Sequence, residues 1–350
     1  MSITPDVVAR ARAGRTATVA RTDEQALALA KAWVDAWDAL APEFRDALDR
    51  LVDAVDAGDL LPATVLARDR RLGQALARAL DVTDQLVADM TATVSADISP
   101  VVLAAADTQY QALLAQLPAG SAGTAGLAVL DPSAVEQIVA RTTERIHAAT
   151  LPLPEDVVAR MRQALVTGVV VGDNPRRVAA RLVDQVEGRF AGGLARAERI
   201  ARTEMLDAHR RADQAMSEKN RSLIAAQVWC ATLDSKTCGS CLGMHGSEWP
   251  AAEFGPADHP QGRCIFVPRT KTWAELGFTG IEDQGMDLAA ERDAWWDNLT
   301  ERSQDRILGA ARAQYLRDGG TWSALSTRRE NPDWRPSYGL TPLRDLPGLT

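Results

Sequence analysis

Cys238-x2-Cys241, followed 17 residues later by His259-x4-Cys264, is the spacing in this chain best suited to chemistry. A Cys-x2-Cys pair lets two thiolates reach one ion from a single tight turn, and Gly239 and Ser240 are small enough to permit that turn. His259 and Cys264 would complete a Cys3His tetrahedron, a ligand set that suits zinc. With every position filled by protein, such an ion would be structural rather than catalytic. Cys230 and His245 are spare candidates, and His245, four residues after Cys241, could replace His259. Two other states are open to the same residues. The cysteines could stay reduced and buried among Trp229, Trp249 and Trp273, or form a disulfide such as Cys238 to Cys264.

These residues need elements to hold them. Residues 225–233 read as a strand and 263–268 as a second, with Gly, Pro, Asp and Ser between them, so 223–270 is a small loop-rich α+β module. A module this small builds little core alone and needs a staple or a helical partner. Helices surround it. Ala195 to Arg221 reads as one helix without a breaker, Asp131-Pro132, Pro154 and Asn174-Pro175 open three more, and Gly172 closes one of them. Helices return after Pro268, at Met286–Asn298 and Glu301–Asp318.

The first part of the chain carries no chemistry of its own. Residues 1–21 read as a flexible arm, polar and without period. Residues 22–118 read as a helical hairpin or bundle, with Trp33, Trp37, Leu40, Phe44, Leu48 and then Leu72, Leu76, Ala79, Leu86, Met90 at helical spacing. Pro42 kinks the first helix or begins another, Gly58 ends it, and Pro100 breaks or kinks the second. Residues 119–130, rich in Gly, Ser and Ala, form a linker, and 330–350 a Pro-rich extended tail. The fold class expected is therefore mainly α, with the cysteine module set into a helical domain over 131–329.

A net charge of −8 argues against wrapping nucleic acid with the whole chain. No run of ~18 apolar residues predicts a membrane span, and the N-terminus has no signal-peptide core, so a reducing cytoplasm is expected at first.

The ordered set of motifs resembles the MuF-type head-morphogenesis domain of tailed-phage head proteins. The resemblance runs through Arg202-Thr203-Glu204 on a helix, an aromatic strand at Val228-Trp229, Asp234-x-x-Thr237-Cys238-x-x-Cys241, and His259-Pro260 followed by Arg263-Cys264 and Pro268. It covers about residues 150–330, with a familiar helix at Arg306–Arg312. Gly262 departs from it, standing where the first cysteine of a Cys-Arg-Cys run would be. The resemblance implies a minor capsid component made alongside the portal protein, entering the prohead in few copies near the portal vertex. It implies portal, major capsid and scaffold proteins as partners, contact with packaged DNA for some members, and no settled enzymatic activity.

The triplet has two readings. Arg202 and Glu204 are two apart, so they point to different helix faces. In one reading Arg202 pairs with Glu198, Glu204 with Arg263, and Thr203 with a loop carbonyl, docking the cysteine module together with Trp229, Asp234 and Pro260. In the other they are ordinary surface residues. The basic residues around them, Arg210 and Arg211 included, alternate with acids and read as a solvated face. Two further functions are weighed: a metal-dependent nuclease of HNH type, using Asp258, His259, His245 and Glu253, and a phage-carried effector.

Overall fold

The computed structural model describes residues 3–54, 63–167, 175–253, 255–256, 258–259, 261–280, 285–330 and 336–347. The helix ends expected at Gly58 and Gly172, and the site residue Pro260, lie outside the described residues. The fold is mainly α. In chain order the helices α1 (Pro5–Asp53), α2 (Ala63–Arg68), α3 (Arg70–Leu114), α4 (Pro132–Thr150), α5 (Leu153–Thr167) and α6 (Pro175–Lys219) precede the first strand, β1 (Ile224–Cys230). Then follow α7 (Gly239–Met244), β2 (Glu248–Pro250), β3 (Ile265–Thr270), α8 (Leu288–Asp297), α9 (Glu301–Leu308), α10 (Ala310–Arg317), β4 (Ser326–Arg329) and β5 (Ser337–Leu340).

The chain forms two compact units: residues 1–19, 99–139 and 206–350 in the first, 20–98 and 140–205 in the second. The divisions fall inside α1, α3, α4 and α6 rather than in the glycine-rich stretch 119–130, which reads from sequence as the boundary.

The second unit is all helix. Trp33 is buried, donates from Nε1 to the Phe190 carbonyl at 2.9 Å, and lies 5.2 Å from the Phe190 ring. Trp37, Phe44, Leu40 and Leu48 continue that stripe at the expected helical spacing. Of the two outcomes expected at each proline, a kink or a break, the break does not occur: Pro42 lies inside α1 and Pro100 inside α3.

The first unit carries a three-stranded antiparallel sheet in the order β2-β1-β3. Successive side chains of a strand point to opposite faces, and β1 uses both. Val228 and Cys230 join Ile265 and Val267 in one apolar cluster. Trp229 and Ala231 join Phe266, Cys241 and Cys264 in the other. The first cluster is closed by Ile3, Val7, Val8 and Ala11. The stretch expected to be a loose arm is thus helical from Pro5 and buried along one face, with the Ile3 carbonyl accepting from Met286 N–H at 2.8 Å. The tail is likewise folded back: β5 pairs with β4, and Leu346 is buried beside Leu242 and Trp296.

α3 contains an 18-residue window apolar enough to cross a membrane by length and composition. Such a window was not expected from the sequence. α3 buries Ile98, Val102 and Ala105 in the core, and 39% of the apolar window is buried.

Candidate metal centre and buried ion cluster

The cysteine turn is built from Asp234. Its Oδ1 accepts from Lys236 N–H at 2.9 Å and from the Thr237 hydroxyl at 3.0 Å, an Asx-type turn that sets the chain entering α7. Arg263 forks onto the same carboxylate at 2.6 and 2.7 Å. This bidentate pair ties the returning segment of His259 and Cys264 to the turn carrying Cys238 and Cys241. The Arg263 guanidinium holds the Asp234 carboxyl down at about 2.

Cys238 caps α7, its Sγ accepting from Cys241 N–H at 3.4 Å. Ligand atoms of Cys238, Cys241 and His259 lie within 4.8 Å of one another. Cys238 is half-buried, Cys241 buried and His259 exposed. Donors so spaced fit ligands ~2.0–2.3 Å from one zinc ion. The Cys241 thiol donates to Cys238 and, with help from His259, pulls the Cys238 thiol down to about 4, while Cys241 itself is pushed well up. A site whose first cysteine already favours the thiolate is chemically suited to a cation. Cys264, expected as fourth ligand, is buried beside Cys241 in the same cluster but outside that group of three. All four cysteines are free thiols.

The spare candidates are used elsewhere. Cys230 points to the opposite face of β1, and burial pushes its thiol up to about 12. His245 accepts from Ala231 N–H at Nδ1 (2.9 Å), and its Nε2 lies 3.4 Å from Glu291.

Small residues let α7 seat. A Cβ on Gly239 would come within 2.5 Å of Leu308 Cδ2, and one on Gly243 within 2.6 Å of the Trp322 carbonyl oxygen. The Ser240 and Ser326 hydroxyls meet at 3.0 Å. Trp229 is fully buried among Trp249, Phe266 and Tyr338, at centroid separations of 6.3, 6.1 and 6.0 Å.

The triplet has other partners than expected. Arg202 pairs with Asp23 at 2.5 Å, and Glu204 takes a fork from Arg145 at 2.7 and 3.0 Å. Thr203 is buried with no hydrogen-bond partner for its hydroxyl among the described residues. These contacts join helices of the second unit, because α1 and α4 place carboxylate and guanidinium closer than Glu198 or Arg263 do.

A cluster of charges was missed. Arg210, read as part of a solvated face, is 2 % exposed and donates from Nη2 to Asp258 Oδ2 at 2.7 Å and to the Gly262 carbonyl at 2.6 Å. Arg15, 3 % exposed, donates to the Leu206 carbonyl at 2.9 Å and the Gly262 carbonyl at 2.8 Å. His209 Nδ1 lies 2.8 Å from the Thr18 hydroxyl and Nε2 3.5 Å from Asp213. Burial, then the two guanidiniums, hold His209 well below its usual range, and burial pushes Asp213 up to about 7. The one signal in the sequence is His209, Arg210 and Asp213 at helical spacing. The same cluster explains Gly262: a Cβ there would lie 1.9 Å from Asp258 Oδ2. Asp258 takes the room that a cysteine at 262 would need. Engaged with Arg210, it is also withdrawn from the nuclease role weighed for it.

Residues 159–267 match the family model described as Phage Mu protein F like protein. No curated protein and no solved structure matches the chain. The matched stretch is shorter than the resemblance over 150–330, and it contains the triplet, the Asp234 turn, all four cysteines and both histidines of the module. Over residues 159–267 the chain is therefore similar to the Phage Mu protein F like family, in line with the resemblance its motifs carry.

Proposed function

We propose that this chain is a minor head protein of a tailed bacteriophage, acting in head morphogenesis near the portal vertex. Its role in this reading is structural and adhesive, not catalytic. The family match over residues 159–267 carries the proposal. The chemistry of the module supports it, since its polar residues tie segments of the chain to one another. Portal, major capsid and scaffold proteins are the partners, with at most weak contact to packaged DNA for a chain of net charge −8. The head interior is its place in the virion, after assembly in the host cytoplasm.

In the same reading Cys238, Cys241 and His259 hold one structural zinc, with Cys264 the nearest remaining thiol. The ion would supply a cross-link between the α7 turn and the returning loop, adding to the Asp234–Arg263 clamp. Trp229, Arg202, Thr203 and Glu204 order the core and the helices rather than meeting the partner directly. Co-expression with the portal protein of the same phage tests the assignment. A complex that survives size-exclusion chromatography is expected; elution of the two proteins apart at micromolar concentration would count against it.

A further inference from the structure

A cleft of about 160 Å³ in the first unit is lined by three arginines, Arg12, Arg15 and Arg263, with Thr16, Thr232 and Asp234 among its other walls. Two of the three guanidiniums are matched. Arg12 forks onto Glu291 at 2.8 and 3.0 Å, and Arg263 forks onto Asp234. Arg210, adjoining Arg15 through the shared Gly262 carbonyl, has Asp258.

Arg15 has no such partner. Its two Nη groups donate to neutral carbonyls, and among the described residues it forms no ion pair. Its Nε–H is buried and unpartnered, as is that of Arg12. A buried charge without a counter-charge is strongly disfavoured, because desolvation is not repaid by attraction. The strain shows in its titration: burial, with Arg210 nearby, brings Arg15 down to about 9, against the pull of Asp258 and Asp213. Glu291 and Asp234 are already used by Arg12 and Arg263, and Asp258 and Asp213 act on Arg15 without pairing with it directly, so Arg15 has room for a further negative charge.

We propose that this cleft is a binding site for a small oxyanion of phosphate type, held between Arg12, Arg15 and Arg263. Arginine forks and hydroxyls are the donors that tetrahedral oxyanions favour. Thr16 and Thr232 supply hydroxyls at the walls. The phosphate is either free in solution or the exposed terminal group of a nucleic acid. The inference is independent of the head-protein reading and stands on the cleft alone.

The test is calorimetric titration of the full chain with inorganic phosphate at constant ionic strength, in chloride buffer. Saturable one-to-one heat is expected, at least tenfold weaker in Arg15→Gln and in Thr16→Glu. Thr16 is exposed on α1, so Thr16→Glu leaves the fold intact while placing a tethered carboxylate at the cleft. Thermal melting in phosphate separates binding from general salting-out, which would raise wild type and Thr16→Glu alike. A second titration uses a short DNA duplex with and without 5′-phosphates. Binding that needs the 5′-phosphate assigns a nucleic-acid end, and binding of inorganic phosphate alone assigns the free ion; either supports the site. Absence of saturable heat with both probes, or heat undiminished in Thr16→Glu, would overturn it.

Discussion

At Gly262 a single missing side chain distinguishes this chain from the Cys-Arg-Cys pattern that its motifs resemble. The room is taken by Asp258, whose carboxylate is fully buried against Arg210. Gly262→Ala would push a methyl into that carboxylate and separate the pair. Breaking a buried pair costs about 3–5 kcal/mol, so urea unfolding of Gly262→Ala should show a loss of that order. Asp213 makes a second prediction. Its folded value, about 7, lies above the ordinary 3.8 because burial disfavours the charge. Between those values the folded chain holds a proton that the unfolded chain releases, so this group's contribution is full below 3.8 and is lost as pH rises through 7. Stability of Asp213→Asn relative to wild type should therefore rise between pH 5 and pH 8; a gap that stays level across that range would refute the assignment. The module itself predicts that Cys238→Ser with Cys241→Ser lowers Tm and removes bound zinc, read by native mass spectrometry. Asp234, Trp229 and Arg263 drew notice because each stands close in sequence to the cysteine motif, but spacing could not show that Arg263 forks onto Asp234 rather than Glu204. Arg15 and Arg210 were not. A charge-alternating helix looks the same whichever arginine is buried, and Arg15 meets the Leu206 carbonyl across 191 residues of chain.

At the scale of elements, α6 runs without interruption from Pro175 to Lys219 through Gly192-Gly193. Glycine inside a helix costs about 1 kcal/mol relative to alanine, and the two positions keep it for different reasons. A Cβ on Gly193 would lie 2.6 Å from Val157 and 2.8 Å from the Trp33 ring, while one on Gly192 would meet nothing. Gly192→Ala is expected to stabilise by up to about 1 kcal/mol. Gly193→Ala should destabilise by about 1–3 kcal/mol through overpacking. Equal shifts in the urea midpoint of the two variants would show that Trp33 does not pack against α6 as described. Periodicity revealed the α1 and α3 stripes, and β-rich runs revealed β1 and β3. At Pro42 and Pro100 the sequence left a kink and a break open, and the helices continue because packing on both sides of these positions outweighs one lost hydrogen bond. Low apolar content misled at residues 1–21 and in the tail, where four small buried side chains and one leucine are enough to dock the segment.

For the whole molecule, the division into two units could not be read along the sequence, since each unit collects segments far apart in the chain. Four helices contribute to both, and composition marks breaks in the chain, not breaks in contact. One consequence is that residues 1–21 are not dispensable. Deleting them removes Ile3, Val7, Val8 and Ala11 from the sheet's apolar cluster, and Arg15 from the buried ions. At about 1.5–3 kcal/mol for each buried Val or Ile, that loss rivals the ~5–15 kcal/mol that holds a typical protein folded. The truncated chain should lose the near-ultraviolet circular dichroism signal of packed Trp229; an unchanged spectrum and melting curve would show the segment to be an arm after all. The proposed function is tested most directly by quantitative mass spectrometry of proheads and mature heads purified from host cells that carry the gene for this chain. The account predicts the chain in proheads at a few copies per particle, in constant ratio to the portal protein. Proheads that assemble with their portal and lack the chain would contradict it.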